Sequence, residues 1–110
     1  MRTLRNFVQL IGNLGQDVEL MEFNSGTKKA TFSLATNEFY IDNKGERVEK
    51  TEWHNIVAWG KMAERMTDQL GKGDRVIIQG RITNRKYEDS TGKTRYLTEI
   101  LAGDYIKLSK

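Results

Sequence analysis

A chain of 110 residues, 37% hydrophobic and 30% charged, is long enough for one domain with its own core and too short for two. It has no cysteine and one histidine, which excludes disulfides, thiolate chemistry and a multi-histidine metal site, so neither a metal nor a cofactor is expected. The 18 basic and 15 acidic residues leave a net charge of +3, a lean towards polyanions without a block of like charge.

The first residues, Met-Arg-Thr-Leu-Arg-Asn-Phe, hold no apolar run of signal-peptide or membrane-span length, so a cytoplasmic protein without a membrane partner is expected. Leu4 to Gly12 reads as a strand with Val8 and Leu10 on one face. Phe7, Gln9 and Ile11 fall on the other, a pattern that suits a strand covered outside its own domain by a second subunit. Gly12-Asn-Leu-Gly15 marks a bend, and Val18 to Phe23 is a short strand candidate. Asn24-Ser25-Gly26 then turns the chain into Lys28 to Thr36, where Ala30, Phe32 and Leu34 share an inner face. Asn37 to Lys50 is expected to be a long hairpin arm with aromatics near a polar tip. Thr51 to Gly60 is a strand holding both tryptophans, with Trp53, Asn55, Val57 and Trp59 on one face and His54, Ile56 and Ala58 on the other.

Lys61 to Leu70 is the one helix, its Met62, Met66 and Leu70 spaced to seat it on the core and Gly71 placed to end it. Arg75 to Tyr87 follows as a strand with Val76, Ile78 and Ile82 inward. Glu88 to Lys93 is a hairpin turn, Thr94 to Leu101 the last full strand, and Asp104 to Leu108 a terminal segment. Five main strands with a helix between the third and fourth describe an all-β OB-fold, a five-stranded Greek-key barrel, here one domain over residues 1–110.

Two indoles and an amide on one strand face suit a half-open platform, because an indole joins a flat apolar face to an N–H that needs a partner. With Tyr40 on the preceding arm and Tyr87 after Arg85 and Lys86, the chain carries both parts of a single-strand site: aromatics that stack on bases and cations that follow phosphates. An enzyme is not expected. Ser25, Ser33, Ser90 and Ser109 sit in no nucleophile motif, His54 reads as structural, and no phosphate-binding glycine loop is present.

A series of short words completes the reading: Gly12-Asn-Leu-Gly-Gln-Asp17, Leu34-Ala-Thr36, Thr51-Glu-Trp-His54, Gly60-Lys-Met-Ala-Glu64, Leu70-Gly-Lys-Gly73, Gly80-Arg-Ile82 and Arg85-Lys-Tyr87. In this order, over nearly the whole chain, they closely resemble the bacterial single-stranded DNA-binding protein family. The resemblance implies an OB-fold protein, usually a homotetramer, that wraps single-stranded DNA in replication, recombination and repair, and hence a nucleoid-associated place in the cytoplasm. It implies stacking by Tyr40, Trp53, Trp59 and Tyr87, phosphate contacts near Lys61, Lys72, Arg85 and Lys86, and subunit contacts at Ile77, Gln79 and His54, with Phe7, Gln9 and Ile11 covering a partner surface.

Three departures stand out. Tyrosine occupies positions 40 and 87, where many members have tryptophan, which keeps a stacking face of smaller area. Asn55 and Phe7 occupy places where basic residues are frequent. The family's flexible acidic tail, which recruits protein partners, is not expected here, since the sequence runs only to Ser109-Lys110. The competing reading is an OB-fold adaptor of the primosomal type that acts through protein contacts; an RNA-binding OB domain is a third.

Overall fold

The computed structural model describes residues 4–108; Ser109 and the two ends of the expected 1–110 unit lie outside them. Its elements are β1 (Val8–Leu14), β2 (Glu19–Glu22), β3 (Lys28–Ile41), β4 (Arg47–Trp59), α1 (Gly60–Gln69), β5 (Arg75–Glu88) and β6 (Thr94–Lys107). They form one sheet in the order β1-β5-β6-β4-β3-β2, and a further β1–β3 pairing, Asn13 with Ala35 and Leu14 with Leu34, closes it into the expected barrel. All neighbours are antiparallel except β4 and β6, which run parallel at Ile56–Ile100 and Val57–Leu101.

The helix follows the fourth strand rather than the third. The cause lies at the start of the chain, where β1 runs along β5 and then breaks, so that β2 restarts as a separate ladder on β3. Gly12 is where β1 crosses β3 most closely: a Cβ there would lie 2.2 Å from the Ala35 carbonyl oxygen, a separation only a residue without a side chain allows.

The hairpins share one tip. Phe23, Asp42 and Asp89 each donate N–H to the carbonyl four residues on, to Thr27, Glu46 and Lys93 at 2.9–3.0 Å. Each also accepts the N–H of the glycine three residues on, whose φ is +80 to +90°. Asp42 and Asp89 reinforce the turn by accepting the backbone N–H groups two and four residues later on Oδ1. The spacing Asp-x-x-Gly in Asp42-Asn-Lys-Gly45 and Asp89-Ser-Thr-Gly92 is therefore the sequence form of this turn.

The core joins Phe32, Leu34, Ile56, Val76, Ile78 and Ile100 from the barrel wall to Ala63, Met66 and Leu70, which close one end. As expected from its spacing, the methionine stripe of α1 faces that core. The helix does not end on a glycine cap, however: Leu70 turns extended, its N–H still donating to the Met66 carbonyl at 2.9 Å, and the left-handed residue is Gly73 in the turn beyond. Ile82, expected inward, lies opposite the buried Ile100 but is itself 44% exposed. Between Gln79 and Gly80 the register of β5 against β6 shifts by one residue, Gly103 of β6 being the extra one, and past the β4 pairings of Ile100 and Leu101 the two strands continue as an arm. β6 runs unbroken to Lys107, taking in the segment expected to be separate.

Candidate nucleic-acid interface

Along β4 the alternation holds. Ile56 and Ala58 are fully buried, while Trp53 and Trp59 are 59% and 45% exposed on the opposite face. Cross-strand pairing extends that face onto β3, where Ala35 lies opposite Trp53, Ser33 opposite Asn55, Thr31 opposite Val57 and Lys29 opposite Trp59. The tryptophans thus bracket a strip floored by small and polar side chains. Val57 departs from its neighbours: although on the tryptophan face it is only 4% exposed, lying at the bottom of a recess of about 180 Å³ that Gln16, Thr31, Ser33, Asn55, Leu97 and Glu99 help to line.

Each indole is held by a residue that periodicity alone does not single out. A Cβ on Gly15 would come within 2.4 Å of Trp53 Cζ3 and 2.8 Å of Cη2, so the indole lies over the backbone where β1 ends. Trp59 stacks with Phe23 from the β2–β3 tip, centroids 6.2 Å apart at 24°, and the Lys29 ammonium lies 5.4 Å from its centroid. Such a cation raises the local positive potential and covers part of the ring.

Of the basic residues expected to meet phosphate, Arg85 is already engaged. Its Nε donates to Glu99 Oε1 at 3.2 Å and its Nη2 to Oε2 at 3.5 Å. Glu99, 8% exposed, is the one buried charged side chain among the described residues, and it lines the recess between the tryptophans. A carboxylate in this position repels phosphate, and Arg85 neutralises it. Lys61 in the first turn of α1, Lys72 in the α1–β5 turn and Lys86 on β5 are exposed. The Lys72 backbone is tied to Asp17, whose Oδ1 accepts its N–H at 2.8 Å.

The arms do not present all four expected aromatics on one side. β3 and β4 stay in unbroken register to Ile41–Arg47, so Phe39, paired with Glu49, shares the Trp53 side of the ribbon. Tyr40, paired with Val48, lies on the side that carries His54. On the other arm Tyr87 and Arg85 share a face, whereas Lys86 points the opposite way with its cross-strand neighbour Tyr96. Asp89 orders that arm's tip: its carboxyl is held down at about 2, first by the Thr91 hydroxyl hydrogen bond at 2.6 Å and then by Arg95 Nε at 2.8 Å.

The residues expected at subunit contacts gather on another surface. Gln9 lies opposite Gln79, joined by a 2.8 Å side-chain hydrogen bond, and Ile11 opposite Ile77. Ile106 extends this patch from β6, paired with Ile77 and 58% exposed. Phe7 is half-buried near the start of β1. His54 is apart from them, half-buried, with Nε2 3.0 Å from the Thr36 hydroxyl.

Phe23, Lys29, Gly15, Phe39 and Ile106 are the residues here that reading along the chain missed. Lys29 and Ile106 needed cross-strand register, Phe23 and Gly15 needed the closed barrel, and Phe39 was visible beside Tyr40 but could not be assigned a side. Among the described residues no group of three or more His, Cys, Asp and Glu could hold a metal ion, and no helix is long and apolar enough to cross a membrane.

Three comparisons bear on this surface. The chain is 47% identical over 100 residues to the single-stranded DNA-binding protein 1 of Chlorobaculum tepidum, covering 90% of this chain and 62% of that protein. It is 42% identical over 106 residues to the single-stranded DNA-binding protein of Bacteroides thetaiotaomicron, covering 94% and 66%. It therefore spans somewhat under two thirds of the length of these curated relatives. A Plasmodium falciparum SSB solved in complex with ssDNA superposes with a TM-score of 0.89 at 37% identity, over 99% of this chain and 98% of that one. The model of the single-strand binding protein family matches residues 5–108, and with these relatives it shows that the chain belongs to that family.

Proposed function

We propose that this chain binds and protects single-stranded DNA without regard to sequence, in replication, recombination and repair, as one OB domain acting in a homotetramer. The observation that carries the reading is the pair of half-exposed indoles, Trp53 and Trp59, on one face of β4. Six residues of strand separate them, roughly 20 Å at about 3.3 Å per residue, a span that accommodates several nucleotides. A base stacked on an aromatic contributes about 1–3 kcal/mol whatever its identity, because every base has a π-face, so two or three such contacts offset the ordering of a flexible strand.

In this reading Trp53, Trp59 and Tyr87 stack on bases and Tyr40 makes its contact from the other side of its arm. Lys61, Lys72 and Lys86 neutralise phosphates, and Arg85 does so while remaining paired with Glu99. The patch of Gln9, Ile11, Ile77 and Gln79, with Phe7 beside it, packs against other subunits, and His54 makes a separate subunit contact. Binding of this kind needs no nucleophile or metal, and the protein works without catalysis, in the cytoplasm at the nucleoid. An adaptor acting through protein contacts would have no use for indoles aligned over a polar floor, and the aligned solved relative is a complex with ssDNA.

A Trp53→Ala, Trp59→Ala double variant tests this reading. It is expected to keep the circular dichroism and solution mass of the parent and to lose most affinity for oligo-dT. Retained affinity would refute the stacking assignment.

A further inference from the structure

The β3–β4 arm carries a second aromatic and cationic pair that the proposed site does not use. The Arg47 guanidinium lies 4.0 Å from the centroid of the Phe39 ring, which is nevertheless 53% exposed. The ladder fixes the side on which this pair sits. From Trp53 outward, Ala35–Trp53, Asn37–Thr51, Phe39–Glu49 and Ile41–Arg47 are successive pairs of the same face. A hydrogen bond of 2.8 Å between the Thr51 and Asn37 side chains confirms that these two point the same way. The reverse face carries the Lys50–Glu52 ion pair at 3.0 Å, and the raised pKa of Lys50, due first to Glu52, also responds to Glu38 and Tyr40 on that face.

We propose that Phe39 and Arg47 form a further nucleotide subsite, on which a base leaving the Trp53 platform stacks while its phosphate meets the guanidinium. The proposal rests on the single-strand reading above and extends it along the arm. Four residues separate Phe39 from Ala35, the cross-strand partner of Trp53, about 13 Å of strand at about 3.3 Å per residue. That places Phe39 one or two extended nucleotides further along the same face. The chemistry favours nucleic acid over an apolar partner, because a guanidinium 4.0 Å from the ring centroid adds N–H donors for phosphate oxygens beside an exposed aromatic face for a base. Tyr40 then serves a separate contact on the reverse side, and the arm is held from both faces.

The test uses the full chain with oligo-dT. Ultraviolet cross-linking followed by peptide mass mapping should find thymine adducts on Phe39 as well as on Trp53. Phe39→Ala should weaken oligo-dT binding about 5- to 150-fold, and Arg47→Gln should lower the dependence of log K on log salt by about 0.7. Both residues are exposed on an arm outside the core, so circular dichroism should be unchanged. Adducts on Trp53 without any on Phe39, with unchanged affinity in Phe39→Ala, would overturn this subsite and leave the parent reading intact. Absence of adducts at both positions would overturn both. A Phe39→Ala variant that changes the solution mass but not oligo-dT affinity would assign the pair to a contact between copies of the chain and likewise overturn the proposal.

Discussion

Gly15→Ala isolates the positioning of an indole from the stability of the barrel. The added Cβ would lie 2.4 Å from Trp53 Cζ3 and 2.8 Å from Cη2, with Ser33 Oγ at 3.0 Å on another side. Carbon atoms in contact settle at about 3.5–4.0 Å, so the ring must retreat by about 1 Å or more. It has room, since Trp53 is largely exposed, and the φ of Gly15 is outside the left-handed region, so the backbone accepts alanine. Replacing glycine in a compatible conformation also reduces the entropy of the unfolded chain, worth about 0.4–1 kcal/mol. Thermal stability should therefore hold or rise slightly while binding suffers. Loss of one well-placed stacking contact is worth about 1–3 kcal/mol, or about 5- to 150-fold in affinity. The assay is a double-variant cycle of Gly15→Ala and Trp53→Ala, read by oligo-dT titration at fixed salt, in which the glycine substitution should cost little once the indole is gone. Full additivity, or a fall in melting temperature with affinity unchanged, would show that Gly15 does not position the Trp53 indole for binding.

Other consequences follow from single contacts. Glu99→Gln should release Arg85 to phosphate, raising oligo-dT affinity and steepening the slope of log K against log salt by about 0.7; an unchanged slope would show that Arg85 does not reach the strand. Asp89 has its folded pKa depressed from 3.8 to about 2, so its support for the β5–β6 tip is fully present above pH 3.8 and lost as pH falls through about 2. Carboxyl chemical shifts followed by NMR should give a midpoint near 2, and a midpoint near 3.8 would contradict the hydrogen-bonded tip. Met66→Ala, at a fully buried position where α1 meets the barrel, should cost about 2–5 kcal/mol in denaturant unfolding and leave the affinity of the folded fraction unchanged.

What the sequence made legible was local. Alternation in residues 51–60 separated the two indoles from Ile56 and Ala58, the spacing of Met62, Met66 and Leu70 seated the helix, and Asn24-Ser25-Gly26, the polar tip within residues 37–50 and the turn at residues 88–93 marked the hairpins. What it hid depends on pairing between distant segments. Val57 belongs to the exposed side of its strand, and the recess that buries it draws on Gln16 from the start of the chain and on Leu97 and Glu99 from β6. Glu99, one charge among many in a polar strand, became a buried partner of Arg85 only once β5 and β6 were in register. Ile82 read as core by period two, and it does lie opposite the buried Ile100, yet it stays 44% exposed, because alternation assigns a side and not the depth of cover. Tyr40 and Phe39 are adjacent, and which of them shares a side with Trp53 follows from the ladder rather than from aromatic character.

The central claim is that indoles and cations on this barrel hold single strands by stacking and phosphate neutralisation. Titration of the chain with oligo-dT at several salt concentrations, following tryptophan fluorescence, tests it most directly. Strong quenching and a linear fall of log K with log salt are expected. Binding that is insensitive to salt and leaves the fluorescence unchanged would contradict it.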